Sequence, residues 1–262
     1  MRSSSIFWGV ILLLVGSILL LDNLGLLGDL DAWGIIWPVG LILLGAYTLL
    51  GIVLRRPAKT EQVSIPLEGA SRASLKVRHG AGRLEIGAGS NSGNLLEGSF
   101  AGGVDYKSRR EDDKLRVKVS VPEPGFGFWD SSTELDWRLE VNPQVPLTLD
   151  IGAGAGKAEL DLTGLMLSDL KLKTGASETN LHLPAHAGLT RVKVEAGAAS
   201  LSLHVPEGVA GRIRVQSGLS SIRVDQARFP KQDGGYLSPD FDAAANKVEI
   251  EIHAGVGSIV IS

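Results

Sequence analysis

Four glycines in the second half of the chain, Gly154, Gly175, Gly197 and Gly218, follow one another at 21, 22 and 21 residues. Each sits in the same context: alternating apolar residues, a Gly-Ala-like pair, then more alternation. The copies are LKVRHGAGRLEI (75–86), LDIGAGAGKAELDL (149–162), LKLKTGASETNLHL (170–183), VKVEAGAASLSLHV (192–205), IRVQSGLSSIRV (213–224) and IEIHAGVGSIVI (250–261). A fixed period near 20 residues is the mark of a stacked repeat architecture. Within the unit at 170–183, Leu170, Leu172, Leu181 and Leu183 point one way and Lys171 and His182 the other, the period of two of a half-buried strand. Gly175 supplies a bend that a Cβ would resist. Pro184 and Pro206 close units because they cannot continue a ladder. One unit cannot bury its apolar face alone, so neighbours must stack. The expectation is an all-β repeat domain over residues 62–262, a β-solenoid or flattened β-sandwich with rungs of about 21 residues and two strands per rung.

Residues 95–141 alternate as well, as in KLRVKVSV (114–121) and LDWRLEV (135–141), but lack the Gly-Ala signature. They read as a divergent set of strands, and Gln62–Leu67 as the leading strand. Two insertions break the pattern, PEPGFGFWDSSTE (122–134) and QARFPKQDGGYLSPDFDAAANK (226–247). They concentrate the aromatic rings Phe126, Phe128, Trp129, Phe229, Tyr236 and Phe241. Loops are where repeat folds place binding residues. Open ends of a stack also need covering. The six rings are therefore candidates both for partner-binding loops and for caps.

The first 54 residues differ in kind. Ile6–Leu21 and Gly34–Leu54 are apolar runs joined by a loop carrying Asp22, Asp29 and Asp31, and Arg2 is the one basic residue among them. A bilayer core needs roughly 20 apolar residues in a helix. The two runs read as a transmembrane hairpin over 1–54, with 55–61 as a linker. A cleaved leader would carry a basic head and a small-residue cleavage site, neither of which is present here. Arg2, Arg55 and Arg56 flank the hairpin on one side, so the positive-inside rule puts both termini and the β domain in the cytoplasm.

The residue inventory excludes much chemistry. The chain has no cysteine, so disulfides, thiolate metal sites and thiol nucleophiles are out. It carries a net charge of −3 with no basic block, which argues against nucleic acid. GAGAGK at 152–157 lacks the first glycine and the final hydroxyl of a phosphate loop, and the same turn recurs in every unit. Asp161, His182 and His204 occupy equivalent positions on successive rungs and could line up for a metal ion, but outward positions are more often simply solvated. His79, His186 and His253 form no constellation. There is no G-x-S-x-G elbow, and Glu111-Asp112-Asp113 is a charged loop. No catalytic, cofactor or metal set is expected.

The stretches FWGVILLLVGSILLLDNLGLL (7–27) and WPVGLILLGAYTLL (37–50) resemble the LiaI/LiaF-like transmembrane region of bacterial envelope-stress proteins. The Gly-Ala repeat resembles toast-rack and adhesin-like β domains, and AAANKVEIEIHAGVGSIVIS (243–262) resembles the close of LiaF-type domains. The resemblance implies a hairpin in the cell membrane anchoring a cytoplasmic β domain that modulates a sensor kinase. The expected function is thus a non-enzymatic, membrane-anchored regulator or scaffold. Its partners would be membrane lipid, an envelope-stress protein such as a sensor kinase, and further copies of the chain. The alternative is an externally displayed, adhesin-like envelope domain.

Overall fold

The structure, a computed structural model, describes residues 37, 38, 40–42, 45, 60–122, 135–232 and 234–262. The chain divides into two units. The described residues of the first, Trp37, Pro38, Gly40, Leu41, Ile42 and Gly45, have helical backbone. Among the described residues no helix is long and apolar enough to cross a membrane. The two-helix hairpin otherwise lies outside the described residues, as does most of the linker.

The second unit is all β. Its strands are β1 (Thr60–Pro66), β2 (Arg72–Ala88), β3 (Asn94–Ala101), β4 (Asp105–Glu111), β5 (Lys114–Ser120), β6 (Leu135–Val141), β7 (Leu147–Asp161), β8 (Leu167–His182), β9 (Leu189–His204), β10 (Ala210–Val224), β11 (Lys231–Gln232), β12 (Gly235–Leu237) and β13 (Lys247–Ile261). β1 begins at Thr60, inside the segment read as linker.

The parallel register forces the strands to fold in two. Leu167 pairs with Leu147 and His182 with Asp161, so β8 starts beside the start of β7. Only residues 162–166 connect them, a reach of at most about 17 Å. A straight strand of the 15 residues in β7 would be about 50 Å long. The strand must therefore double back near its middle, where Gly154 lies. Each long strand is thus one rung with an N-terminal half in one layer and a C-terminal half in the other. Inner residues Leu149, Ile151, Leu170, Leu172, Val192 and Val194 line the first layer; Ala158, Leu160, Leu181, Leu201 and Leu203 line the second. All belong to one buried core. Each such Leu or Ile contributes about 1.5–3 kcal/mol on burial.

The bends stack into a glycine column. A Cβ on Gly154 would come 2.7 Å from the Gly80 carbonyl oxygen, one on Gly175 2.5 Å from that of Gly154, and one on Gly197 3.1 Å from that of Gly175. Gly255 and Gly218 continue it, at 2.8 Å from Gly197 O and 3.0 Å from Gly255 O. The glycine requirement here is close approach of the neighbouring backbone. A left-handed φ applies instead two residues later, at Gly82, Gly156 and Gly257.

Stacking order departs from chain order. The sheet runs β1-β3-β6-β2-β7-β8-β9-β13-β10-β12-β11. The last strand is wedged in parallel between β9 and β10. The divergent stretch is also a rung: β5 pairs with the first half of β2, Arg72–Arg78, and β6 with the second half, Gly82–Ala88. Between β5 and β6 the sequence carries the 122–134 insertion in place of the Gly-Ala signature. β3 and β4 then turn antiparallel against β6 and β5. β4 is exposed throughout and rich in charge, which suits an edge strand.

Candidate functional site

Of the six candidate rings, Phe126, Phe128 and Trp129 lie outside the described residues. The structure draws the other three onto the end of the stack. Phe229 is fully buried beneath Gly211, where an added Cβ would come within 2.8 Å of its ring. Phe241 is buried with Arg212 stacked 4.2 Å from its centroid. Tyr236 is half-buried on β12 and pairs with Ile213 of β10. Their burial leaves Phe229 and Phe241 as parts of a cap; neither offers a free ring to a partner. The cap covers the start of the β10 edge, with Ser238 and Phe229 on Gly211 and β12 on Arg212 and Ile213. Beyond it, Leu219 is 82% exposed and Ile222 37%.

The histidine ladder forms in part. Asp161, His182 and His204 are in register on β7, β8 and β9, and the two imidazoles lie 5.3 Å apart. The Asp161 carboxylate instead accepts from its own turn, from Thr163 Oγ1 at 2.6 Å and Thr163 N at 3.2 Å. Those hydrogen bonds hold its pKa below the usual carboxylate value, against the opposing effect of burial. Among the described residues no group of three His, Cys, Asp or Glu could hold a metal ion.

His79 is the buried titratable group. Its Nε2 lies 2.7 Å from the Leu135 carbonyl oxygen, and its ring meets Trp137 edge-on at 5.3 Å. Burial pushes its pKa down despite that hydrogen bond and the charge of Asp136. It packs where β6 resumes after the insertion.

The larger feature is a charged face assembled by the register. Residues paired across neighbouring strands project to the same side. In the first layer the middle outward row reads Lys107, Lys118, Lys76, Asp150, Lys171, Lys193, Glu251, Arg214 from β4 to β10. The row on one side contributes Arg109, Arg116, Asp169, Arg191, Glu249 and Arg212; the row nearer the bend contributes Asp105, Arg78, Lys173 and Glu195. Twelve Lys and Arg thus face six Asp and Glu, on a chain whose net charge is −3. Arg78 grips Asp150 through two hydrogen bonds of 3.0 and 2.8 Å. Burial pushes the Asp150 pKa up, but Arg78, Lys76 and Lys171 outweigh it and the net shift is downward. Lys107, Lys118, Lys171, Lys193 and Arg214 have no ion pair among the described residues. A shallow groove of about 750 Å³ runs along this face, lined by five basic residues, Lys171, Arg191, Lys193, Arg212 and Arg214, and four acidic ones, Asp150, Asp169, Glu249 and Glu251.

Sequence reading missed this face because it treated each strand alone. The signal is there: LKVR, LKLK, VKVE, IRVQ and LRVKV each place a basic residue at the same point of the unit.

A mostly parallel solenoid folded into two layers is the class the geometry defines. Residues 55–226 match the family described as the N-terminal domain of toast_rack, DUF2154, and the chain belongs to that family. Residues 6–49 match the LiaI-LiaF-like transmembrane region, which places the chain among membrane proteins. No curated protein matches it. Among solved structures, a candidate cell adhesion protein from Clostridium sporogenes superposes with a TM-score of 0.70 at 21% identity, over 79% of this chain and 99% of that one. A candidate adhesin from Bacteroides fragilis gives 0.31 at 7% identity, over 79% and 98%. The first supports the fold alone.

Proposed function

We propose that the chain is a non-enzymatic, membrane-anchored regulator or scaffold of a bacterial envelope-stress response. Two membrane passes would hold a cytoplasmic β domain that acts through protein contacts, with a membrane sensor kinase as the partner. The observation that carries the reading is the order of the two family matches, a LiaI-LiaF-like transmembrane region followed directly by a toast-rack domain. The side of the membrane rests on Arg2, Arg55 and Arg56. Phe126, Phe128 and Trp129, in the 122–134 insertion, are the proposed contact residues.

Two measurements test this. A fluorescent reporter fused after Ser262 should glow, and a phosphatase reporter active only outside the cytoplasm should stay silent. The reverse pattern overturns the regulator and leaves the externally displayed, adhesin-like domain. Full-length chain purified in mild detergent should retain a sensor kinase. Trp129→Ala should reduce that recovery by about tenfold, the cost of one anchor ring of roughly 1–2 kcal/mol, without lowering the melting temperature.

A further inference from the structure

We propose that the basic face of the first layer is a docking surface for anionic lipid headgroups, holding the β domain against the bilayer that anchors the chain. The reading needs no particular side of the membrane and no protein partner, so it stands apart from the function proposed above.

Three observations point to lipid. The first is an excess of positive charge on one sheet face, twelve Lys and Arg against six Asp and Glu. Lys118, Lys171, Lys193 and Arg214 are exposed and lack ion pairs among the described residues. Their row crosses eight strands, about 34 Å at a spacing of about 4.8 Å. Each Lys or Arg near an anionic bilayer contributes about 1 kcal/mol of attraction, within a Debye length of the surface.

The second is the ridge beside that face. Just past the row containing Arg78 and Lys173, the bend exposes Ala81, Ala155, Ala176, Ala198, Val256 and Leu219 in one register line. Val256 is 54% exposed and Leu219 82%. A nucleic acid backbone would use the cations and leave this apolar line in water. A bilayer surface offers phosphates to the cations and acyl chains to the ridge.

The third is tethering. The transmembrane match ends at residue 49 and β1 begins at Thr60. The ten residues between reach at most about 35 Å. A tether this short makes even a weak surface attraction act at high effective concentration.

The chain has no cysteine, so single labels are clean. Full-length chain carrying a donor fluorophore at Ser74→Cys, in the middle of the basic face, would be reconstituted into vesicles with a headgroup-labelled acceptor. One vesicle set is phosphatidylcholine alone; the other includes about 30 mol% phosphatidylglycerol, an anionic lipid. Transfer should rise about twofold on the anionic vesicles and return to baseline in about 1 M NaCl, where the Debye length is about 3 Å. A donor at Ser202→Cys, on the other layer, should not gain. Lys118→Glu/Lys171→Glu/Lys193→Glu should abolish the rise with an unchanged melt; if that variant unfolds, the milder triple Gln variant should halve the rise. Leu219→Glu should weaken it further. Equal transfer on both vesicle types overturns the proposal, as does a full rise in a folded triple variant. Quenching of the Ser74 label by single-stranded DNA or polyglutamate, with no response to phosphatidylglycerol, would assign the face to another polyanion and equally overturn it.

Discussion

The two layers of the solenoid are halves of the same rungs, with matching inner rows and unlike outer ones. Inside, both are Leu, Ile and Val in register. Outside, the first layer sets twelve basic residues against six acidic. Three outward rows of the second layer lean the other way, with four basic residues, Arg83, Lys157, Arg138 and Arg223, against six acidic, Glu85, Asp136, Glu140, Glu159, Asp161 and Glu178. Toward β10 those rows dwindle to Ser200, Ser202, Ser221 and Ser258. Inner rows answer to packing, which treats the halves alike; outer rows answer only to what they meet. The difference therefore marks the first layer as the interacting one. The strongest test of the shared half of this comparison lies in the core. Leu149→Ala in the first layer and Leu160→Ala in the second should each cost about 2–5 kcal/mol, and similar amounts. Thermal melts of detergent-solubilised chain with a large gap between the two would show that one layer carries the fold.

The bend that joins the layers gives the next largest effect. Gly175→Val forces a Cβ to within 2.5 Å of a backbone carbonyl; at Gly197 the same atom would find 3.1 Å. Overpacking of this kind costs about 1–3 kcal/mol. Gly175→Val should sit at the upper end and Gly197→Val near the lower. Equal losses would mean the column relaxes as a unit.

How much of this could be read from the sequence follows from which signals are local. Alternation in 170–183 and the recurring glycine gave the half-rungs and the bend, since both depend on neighbours along one strand. The wedging of β13 between β9 and β10 was not legible, because every unit presents the same inner residues and the same glycine and fits beside any other. The rung split into β5 and β6 was hidden for a related reason: an insertion separates its halves in the sequence, and the period is lost. Phe229 and Phe241 looked like loop aromatics because loop position was visible and burial was not. The basic face needed register across eight strands, which no single segment contains.

A third prediction concerns the corner where His79 packs. Burial keeps its imidazole neutral in the folded chain. The unfolded chain takes up a proton near the ordinary value of about 6.5. Folding resists that proton, so this stabilisation is complete above pH 6.5 and falls as pH drops below it, until the depressed folded value is reached. Melting temperature should decline between about pH 6.5 and 5, and His79→Phe should flatten that part of the curve. A slope unchanged by the substitution would show that His79 does not carry the effect.

The smallest effect separates the layers most cleanly, through two aspartates of matched type. Asp150 on the first layer and Asp161 on the second both have lowered pKa values. Burial opposes the charge of Asp150, and two hydrogen bonds and the charge of Arg78 overcome it. Asp161 is held chiefly by the uncharged hydroxyl and amide of Thr163, with the charge of His182 the smallest contribution. Each contributes stability that is present above the ordinary carboxylate range and is lost as pH falls through the folded value. Salt acts on charge and hardly on dipoles. Raising NaCl from about 0.05 to 1 M should therefore move Asp150 up toward its ordinary value and leave Asp161 in place. Carboxyl-carbon NMR titration of the two residues reads this directly, and Arg78→Gln should move Asp150 alone. If Asp161 shifts with salt as far as Asp150, the field of the first layer reaches through the core, and the two faces are not electrostatically separate.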